Sequence, residues 1–216
     1  MANVFITGGT GYMGLQLVGE LLARGHKVRA LVRQGSEAKV PAGAEAVIGD
    51  ALDASSYADR VAPSDTLVQL VGVAHPSPAK GKQFRAIDLP SGLAAVQAAK
   101  QARAHLVYVS VAHPAPMMKD YIAVRSQVEQ AIRDAGLNAT VLRPWYVLGP
   151  GHRWPYLLIP FYKVCESLPA TREGARRLGL VTLPRMVAAL VRAVENPAHG
   201  VRVVEVPEIR QAPIHE

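Results

Sequence analysis

Short apolar runs alternate with amphipathic stretches from Asn3 to Arg143, and the alternation predicts strands that take turns with helices. Asn3–Thr7 reads as a buried strand. Tyr12–Arg24 follows as a helix with Leu15, Val18, Leu21 and Leu22 on one face, and Gly25 ends it. Lys27–Val32 and Glu45–Ile48 are the second and third strands, and Ala54–Val61 is a short helix. Thr66–Val71 is nearly all apolar, as expected of a strand covered on both faces. Gln83–Ala102 is a helix bent near Pro90. His105–Val109 is the fifth strand, Asp120–Ala135 a helix and Ala139–Arg143 the sixth strand.

Such alternation builds an α/β fold, a doubly wound parallel sheet with right-handed crossovers. After Arg143 the rhythm loosens, and Pro144, Pro150, Pro155, Pro160 and Pro169 punctuate the chain. A last strand–helix–strand set follows at Gly179–Thr182, Leu183–Glu195 and Val201–Val206, and the tail after Pro207 is expected to fray. No stretch is long enough to act as a linker. The expectation is one domain over residues 1–216, with 144–182 as a small C-terminal substrate-cover region within it.

Composition narrows the class. Hydrophobic residues make up 50% of the 216 and charged residues 19%, enough for a substantial core. The single cysteine, Cys165, can form no internal disulfide, which fits a reducing cytoplasm. Neither a secretory leader nor an apolar run of roughly 18 residues is visible, so a membrane partner is not expected. The formal net charge of +7 is scattered singly, and only Arg172, Arg176 and Arg177 approach a cluster. Without interleaved aromatics for stacking bases, this charge points away from nucleic acid. It reads as a solvated basic surface that also suits a polyphosphate ligand.

That ligand has a candidate seat. The first strand runs into Thr7-Gly8-Gly9-Thr10-Gly11-Tyr12-Met13-Gly14, and a helix follows. Gly8 makes the tight turn, Gly11 lets backbone N–H groups approach a pyrophosphate, and Gly14 lets helix and strand pack closely. The diphosphate of a dinucleotide then sits at the helix N-terminus, where free N–H groups and the helix dipole favour an anion. Thr10, Tyr12 and Met13 belong to the same contact set. So do Leu70, Val71 and Gly72, at the end of the fourth strand.

The second strand ends at Arg33 instead of the acidic residue that would bind a ribose 2′-hydroxyl. Arg33, with Gln34 and Lys39 nearby, suits a 2′-phosphate, which points to NADP ahead of NAD. Asp50 can accept from an adenine amino group with the Ala51 backbone beside it, and Asp53 reads as a helix N-cap.

The chain resembles an atypical or extended short-chain dehydrogenase/reductase, of the NAD(P)-dependent epimerase/dehydratase-like and NAD(P)H-binding kind. The resemblance rests on residues 7–14, Gly49-Asp50, Tyr108-Val-Ser-Val111, Tyr121-Ile-Ala-Val-Arg125 and Arg143-Pro144-Trp-Tyr-Val-Leu-Gly149-Pro150. It implies a Rossmann fold and a site in which Pro144, Tyr146 and Val147 lie beside the nicotinamide. It also implies a reaction centre of Ser110, Tyr121 as acid/base, and the residue four after it. That last position is lysine in the family and Arg125 here.

Tyr121 and Arg125 share one helix face at i and i+4. A cation there favours a phenolate, but a planar guanidinium does not reproduce an ammonium. Two readings therefore stand: an NADP-dependent oxidoreductase or epimerase-like enzyme acting on a small carbonyl or hydroxyl compound, or a protein that binds NADP(H) without turning it over, as a sensor or assembly factor.

A second motif stands apart from the resemblance. Val71-Gly-Val-Ala-His75-Pro is echoed by Val109-Ser-Val-Ala-His113-Pro. In a sheet ordered 3-2-1-4-5-6 both segments leave the same edge, and each proline biases its histidine toward extended backbone. His75 and His113 are candidates for flanking the substrate, with loop packing as the alternative; no ligand spacing for a metal accompanies them. His152, Arg153, Trp154 and Tyr156 are further pocket candidates. Leu157, Leu158, Ile159 and Phe161 are placed to close over the nicotinamide or to form the contact of a homodimer.

Overall fold

The computed structural model describes residues 1–150 and 171–214. Seven parallel strands form one sheet. They are β1 (Asn3–Thr7), β2 (Lys27–Val32), β3 (Glu45–Ile48), β4 (Thr66–Gln69), β5 (His105–Val109), β6 (Ala139–Arg143) and a later edge strand, Val201–Glu205, called β9. Their order is β3-β2-β1-β4-β5-β6-β9. The chain reverses its direction of winding between β1 and β4, and their carboxyl ends open a crevice there. A separate two-stranded piece pairs β7 (Tyr146–Leu148) with β8 (Leu180–Thr182), in parallel.

Alternation along the strands divides the core in two. From β1, Val4 and Ile6 face one layer and Phe5 the other; from β5, Val107 and Val109 face the first and Leu106 and Tyr108 the second. The first layer is covered by α1 (Tyr12–Ala23) and α5 (Leu183–Glu195). The second is covered by α2 (Leu89–Ala102) and α3 (Lys119–Asp134). Every site side chain on α3 therefore approaches the sheet from this second face. A short α4 (Arg172–Arg177) precedes β8, and α6 (Val206–Arg210) follows β9.

Four expectations need correcting. In α1 the buried stripe is Gly14, Leu17, Val18 and Leu21, while Leu15 is exposed. Gly14 must face the turn, and a 3.6-residue period from it reaches 17, 18 and 21, which turns Leu15 outward.

The helix expected over 54–61 is two 3₁₀ turns, Ala54–Ser56 and Ala58–Arg60. Local side chains compete with the backbone here: the Ser55 hydroxyl donates to Asp53, and Ser56 bonds both Asp50 and Asp53 carbonyls. Asp53 does cap the first turn, accepting from the Ser55 N–H at 2.9 Å.

The long helix before β5 is interrupted upstream of Pro90. A single turn at Gly81–Gln83 leads into a π-helical stretch, Phe84–Asp88, before α2 begins. Pro90 has no N–H for the carbonyl one turn back. The widened turn buries both Phe84 and Asp88.

The tail after Pro207 begins within a helix instead of fraying. A reciprocal capping box between Glu205 and Glu208 starts α6, and Val206 and Ile209 are fully buried.

Candidate functional site

The glycine turn joins β1 to α1 through backbone geometry. Gly8 turns the chain with φ of 78°, and the Gly11 N–H donates to the Gly8 carbonyl at 3.0 Å. A Cβ on residue 14 would overlap the Gly8 carbonyl oxygen and stand 2.7 Å from the Gly9 carbonyl carbon. Only glycine lets the helix start this close to the strand. Gly11 is the N-cap and offers no side-chain cap, and no acidic residue sits in the first turn. The first N–H groups of α1 are thus left for an outside acceptor, and a dinucleotide diphosphate fits that requirement.

From this turn a cleft of about 370 Å³ runs along the carboxyl ends of β1, β4 and β5. Gly8, Gly11, Tyr12 and Met13 line one end. Leu70, Gly72 and His75 form one wall; Val109, Ser110 and Val111 form the floor. Tyr121, Arg125, Pro144, Tyr146 and Val147 close the far side. Thr10, Val71 and His113 do not line it. Arg33 and Asp50 follow β2 and β3, on the side of β1 away from β4, so they belong to the opposite end of the turn. Both are exposed, and Ala51 beside Asp50 is half-buried. Asp50 shapes its own loop, accepting from the Leu52 N–H at 2.9 Å. His152 and Trp154, with Arg153, Tyr156 and the apolar residues 157–161, lie outside the described residues.

The two histidine segments diverge. His75 is exposed and takes a left-handed φ of 50°, contrary to the extended backbone expected before proline. Proline disfavours the right-handed helical region for its predecessor, and here the turn is made through the left-handed one. The Lys80 ammonium donates to the Ala74 carbonyl at 2.7 Å and ties this loop back on itself. His113 sits behind the cleft floor, its Nε2 3.7 Å from Glu129 Oε1.

Arg125 does not point freely at the Tyr121 hydroxyl. Its Nη2 donates to Asp88 Oδ1 at 2.5 Å and its Nη1 to the Val109 carbonyl at 2.7 Å. Its guanidinium carbon lies 4.9 Å from the Tyr121 ring centroid. Asp88, fully buried by the π-helical stretch, also accepts from the Val73 N–H at 3.1 Å. The pair fills the space beneath residue 72, where a Cβ would stand 2.6 Å from Arg125 Nη2. Burial works against the Arg125 charge, but Tyr121, Tyr108 and Asp88 outweigh it and hold its pKa above the usual arginine value. Burial pushes the Tyr121 phenol up from its ordinary value, and Arg125 pulls it back only in part. The cation thus does not produce a phenolate here: Tyr121 keeps its proton at neutral pH.

Ser110 is held by a second buried cluster. Its hydroxyl donates to Glu129 Oε1 at 2.6 Å. Arg143 grips the same carboxylate with two bonds, Nε to Oε1 at 3.0 Å and Nη2 to Oε2 at 2.5 Å, and donates from Nη1 to Glu205 at 2.9 Å. Burial alone would raise the Glu129 pKa, but the bonds from Arg143 and Ser110 carry it below the usual carboxylate value.

Asp88 and Glu129 were not singled out from the sequence. Glu129 carried a readable signal, since Tyr121, Arg125 and Glu129 recur every four residues along one helix face. Asp88 carried only a weak one, a lone acid in an apolar stretch, because its partner lies 37 residues away.

Residues 8–153 match the NAD(P)H-binding family. The chain is 28% identical to a ceramide reductase of Caulobacter vibrioides, over 96% of this chain and 65% of that protein. It is 31% identical to a 4-hydroxy-2-methyl-3-oxo-4-farnesyl-3,4-dihydroquinoline-1-oxide ketoreductase of Stigmatella aurantiaca, over 68% of this chain and 51% of that one. It therefore spans less than two thirds of either relative's length. Among solved structures, the Bordetella bronchiseptica enzyme WbmH in complex with NAD+ superposes with a TM-score of 0.69 at 22% identity, covering 95% of this chain and 75% of that one. That likeness is one of fold: a parallel sheet flanked by helices, of the Rossmann type.

Proposed function

The chain belongs to the NAD(P)H-binding family, and from that premise we propose that it binds NADP(H) and reduces the carbonyl of a small apolar compound, with Tyr121 as the proton donor. The observation that carries this reading is the continuity of one cleft from the glycine turn to Tyr121. A dinucleotide anchored by its diphosphate at the start of α1 would extend toward Pro144, Tyr146 and Val147 and bring its reactive ring to the phenol. When bound, the reduced dinucleotide supplies the hydride for the carbonyl carbon. Tyr121 holds its proton at Oη and passes it to the carbonyl oxygen. A half-buried, protonated phenol suits that direction better than proton abstraction from an alcohol.

The cleft walls favour an uncharged substrate. Met13, Leu70, Val73, Val111, Trp145 and Val147 are apolar, and the one cation among the described lining residues, Arg125, is spent on Asp88. The reductase names of the relatives, on a ceramide and on a farnesyl-bearing ketone, point the same way. Arg33, exposed at the end of β2, supports NADP ahead of NAD.

The test is carbonyl-dependent NADPH oxidation with an apolar ketone. Tyr121→Phe should lower kcat by about 10²-fold or more while the NADPH dissociation constant stays within a few-fold. Undiminished turnover in that variant would remove Tyr121 from the chemistry. A second reading has its own support: with Arg125 tied to Asp88 and Ser110 to Glu129, the site resembles a cofactor-binding platform without turnover. Tight NADPH binding with no oxidation by any ketone would select it.

A further inference from the structure

Ser110 lines the cleft floor, yet its only hydrogen is given to Glu129. A hydroxyl has one hydrogen to donate and two lone pairs to accept with. Glu129 is gripped by two bonds from Arg143 and approached by Arg133 Nη2 at 3.3 Å. A carboxylate so paired is ionised and can only accept. The Ser110 hydrogen therefore cannot turn toward the cleft without leaving a buried charge short of a partner, a costly exchange. What Ser110 Oγ offers a ligand is a lone pair. No donor among the described residues is bonded to it.

Tyr121 lines the same cleft with the opposite polarity, as a phenol that holds its proton. The one cleft thus has both a donor and an acceptor among its lining residues. We infer that Glu129, by taking the Ser110 hydrogen, sets the substrate class: a carbonyl compound that also carries a hydroxyl or N–H donor close to the carbonyl. The inference rests on Tyr121 facing the carbonyl, as proposed above. The carbonyl oxygen accepts from Tyr121, and the neighbouring donor is received by Ser110. A plain ketone leaves the Ser110 lone pair unmet, and a methyl ether places a second acceptor against it. Glu129 touches neither substrate nor cofactor; it is a positioning residue acting through Ser110.

Binding separates this inference from turnover. The protein is saturated with NADP+, so that no reduction occurs, and dissociation constants are measured calorimetrically for α-hydroxyacetophenone and β-hydroxypropiophenone, each beside its methyl ether and its parent ketone. In the unaltered protein at least one hydroxy ketone should bind about five- to tenfold more tightly than its ether and parent, the worth of one hydrogen bond. Ser110→Ala removes the acceptor and should bring that ratio to about one. Glu129→Gln gives Ser110 a side-chain amide that can donate to it, frees the hydroxyl hydrogen for the cleft, and should bring the ether level with the hydroxy ketone or ahead of it. Equal affinities in the unaltered protein, no binding of any of the compounds, or a preference that survives Ser110→Ala would overturn the inference. If Glu129→Gln fails to fold, Ser110→Ala still decides, since it deletes one small oxygen from a neutral residue. The reductase reading is judged separately, by NADPH oxidation. A protein that prefers the hydroxy ketones but never oxidises NADPH would keep this inference and lose that one.

Discussion

The two ends of the cleft are built from different materials. At the glycine turn, backbone does the work: Gly8, Gly11 and Gly14 bring a helix start against a strand end, with no side-chain cap. At the far end, buried charge does it. Arg125 is locked to Asp88, and Glu129 to Arg143, with Tyr121 and Ser110 hanging from those pairs. The first end leaves uncapped helix N–H groups open to an anion and tolerates almost no added volume. The second holds two hydroxyl groups in defined protonation and orientation, and its weak point is an unpaired charge. A substitution at one end should therefore fail differently from a substitution at the other.

The largest effect is expected at the turn. Gly14→Val puts a branched side chain where even a Cβ overlaps the Gly8 carbonyl oxygen. Strand and helix must separate, at a cost of about 4 kcal/mol or more. The expected outcome is loss of NADPH binding, measured by fluorescence titration, with thermal unfolding lowered by many degrees or no folded protein at all. A folded variant that binds NADPH normally would show that the close approach of strand and helix is not needed.

Next comes the charge end. Asp88→Ala leaves the Arg125 guanidinium buried without its carboxylate and frees the Val73 N–H. Removing one partner of a buried pair costs about 3–5 kcal/mol. Chemical denaturation should register that loss, and Asp88→Asn should recover part of it, because the amide oxygen can still accept. NADPH affinity should change much less than in Gly14→Val, because the diphosphate seat is untouched. Equal damage to binding in both variants would erase the distinction between the two ends.

The difference in materials also explains what could be read from the sequence. Backbone geometry leaves a local record: three glycines at fixed spacing, a strand before them and a helix after, all within Asn3–Ala23. All seven sheet strands start where the apolar runs predict, from β1 at Asn3 to β9 at Val201. Side-chain pairing leaves no such record. Arg125 in the lysine position was visible, but its tie to Asp88 crosses 37 residues and depends on a π-helical turn that no apolar period announces. Ser110 and Glu129 meet across 19 residues, from a strand end and a helix face. The same blindness affected the two Ala-His-Pro segments. Identical words in the sequence put His75 on the cleft wall and His113 behind the floor.

The smallest expected effect tests whether the backbone end stays purely geometric. Arg33 is exposed, one residue past β2, with its carbonyl accepting from the Ser36 N–H at 3.0 Å. Among the described residues its side chain makes no ion pair. Its side chain is open to a ligand, while its backbone carbonyl holds the turn. Arg33→Ala should therefore leave thermal stability unchanged. It should weaken NADPH about tenfold, the worth of a charge-assisted hydrogen bond of roughly 1.5 kcal/mol, and leave NADH where it was. Because the contact is at the surface, the NADPH advantage should also shrink as salt is raised from low to physiological strength, when the screening length falls to about 8 Å. An equal loss for both cofactors would place Arg33 on the shared diphosphate instead. No loss for either would mean that Arg33 does not meet the cofactor, and any preference for NADP would have to be sought in Gln34 or Lys39.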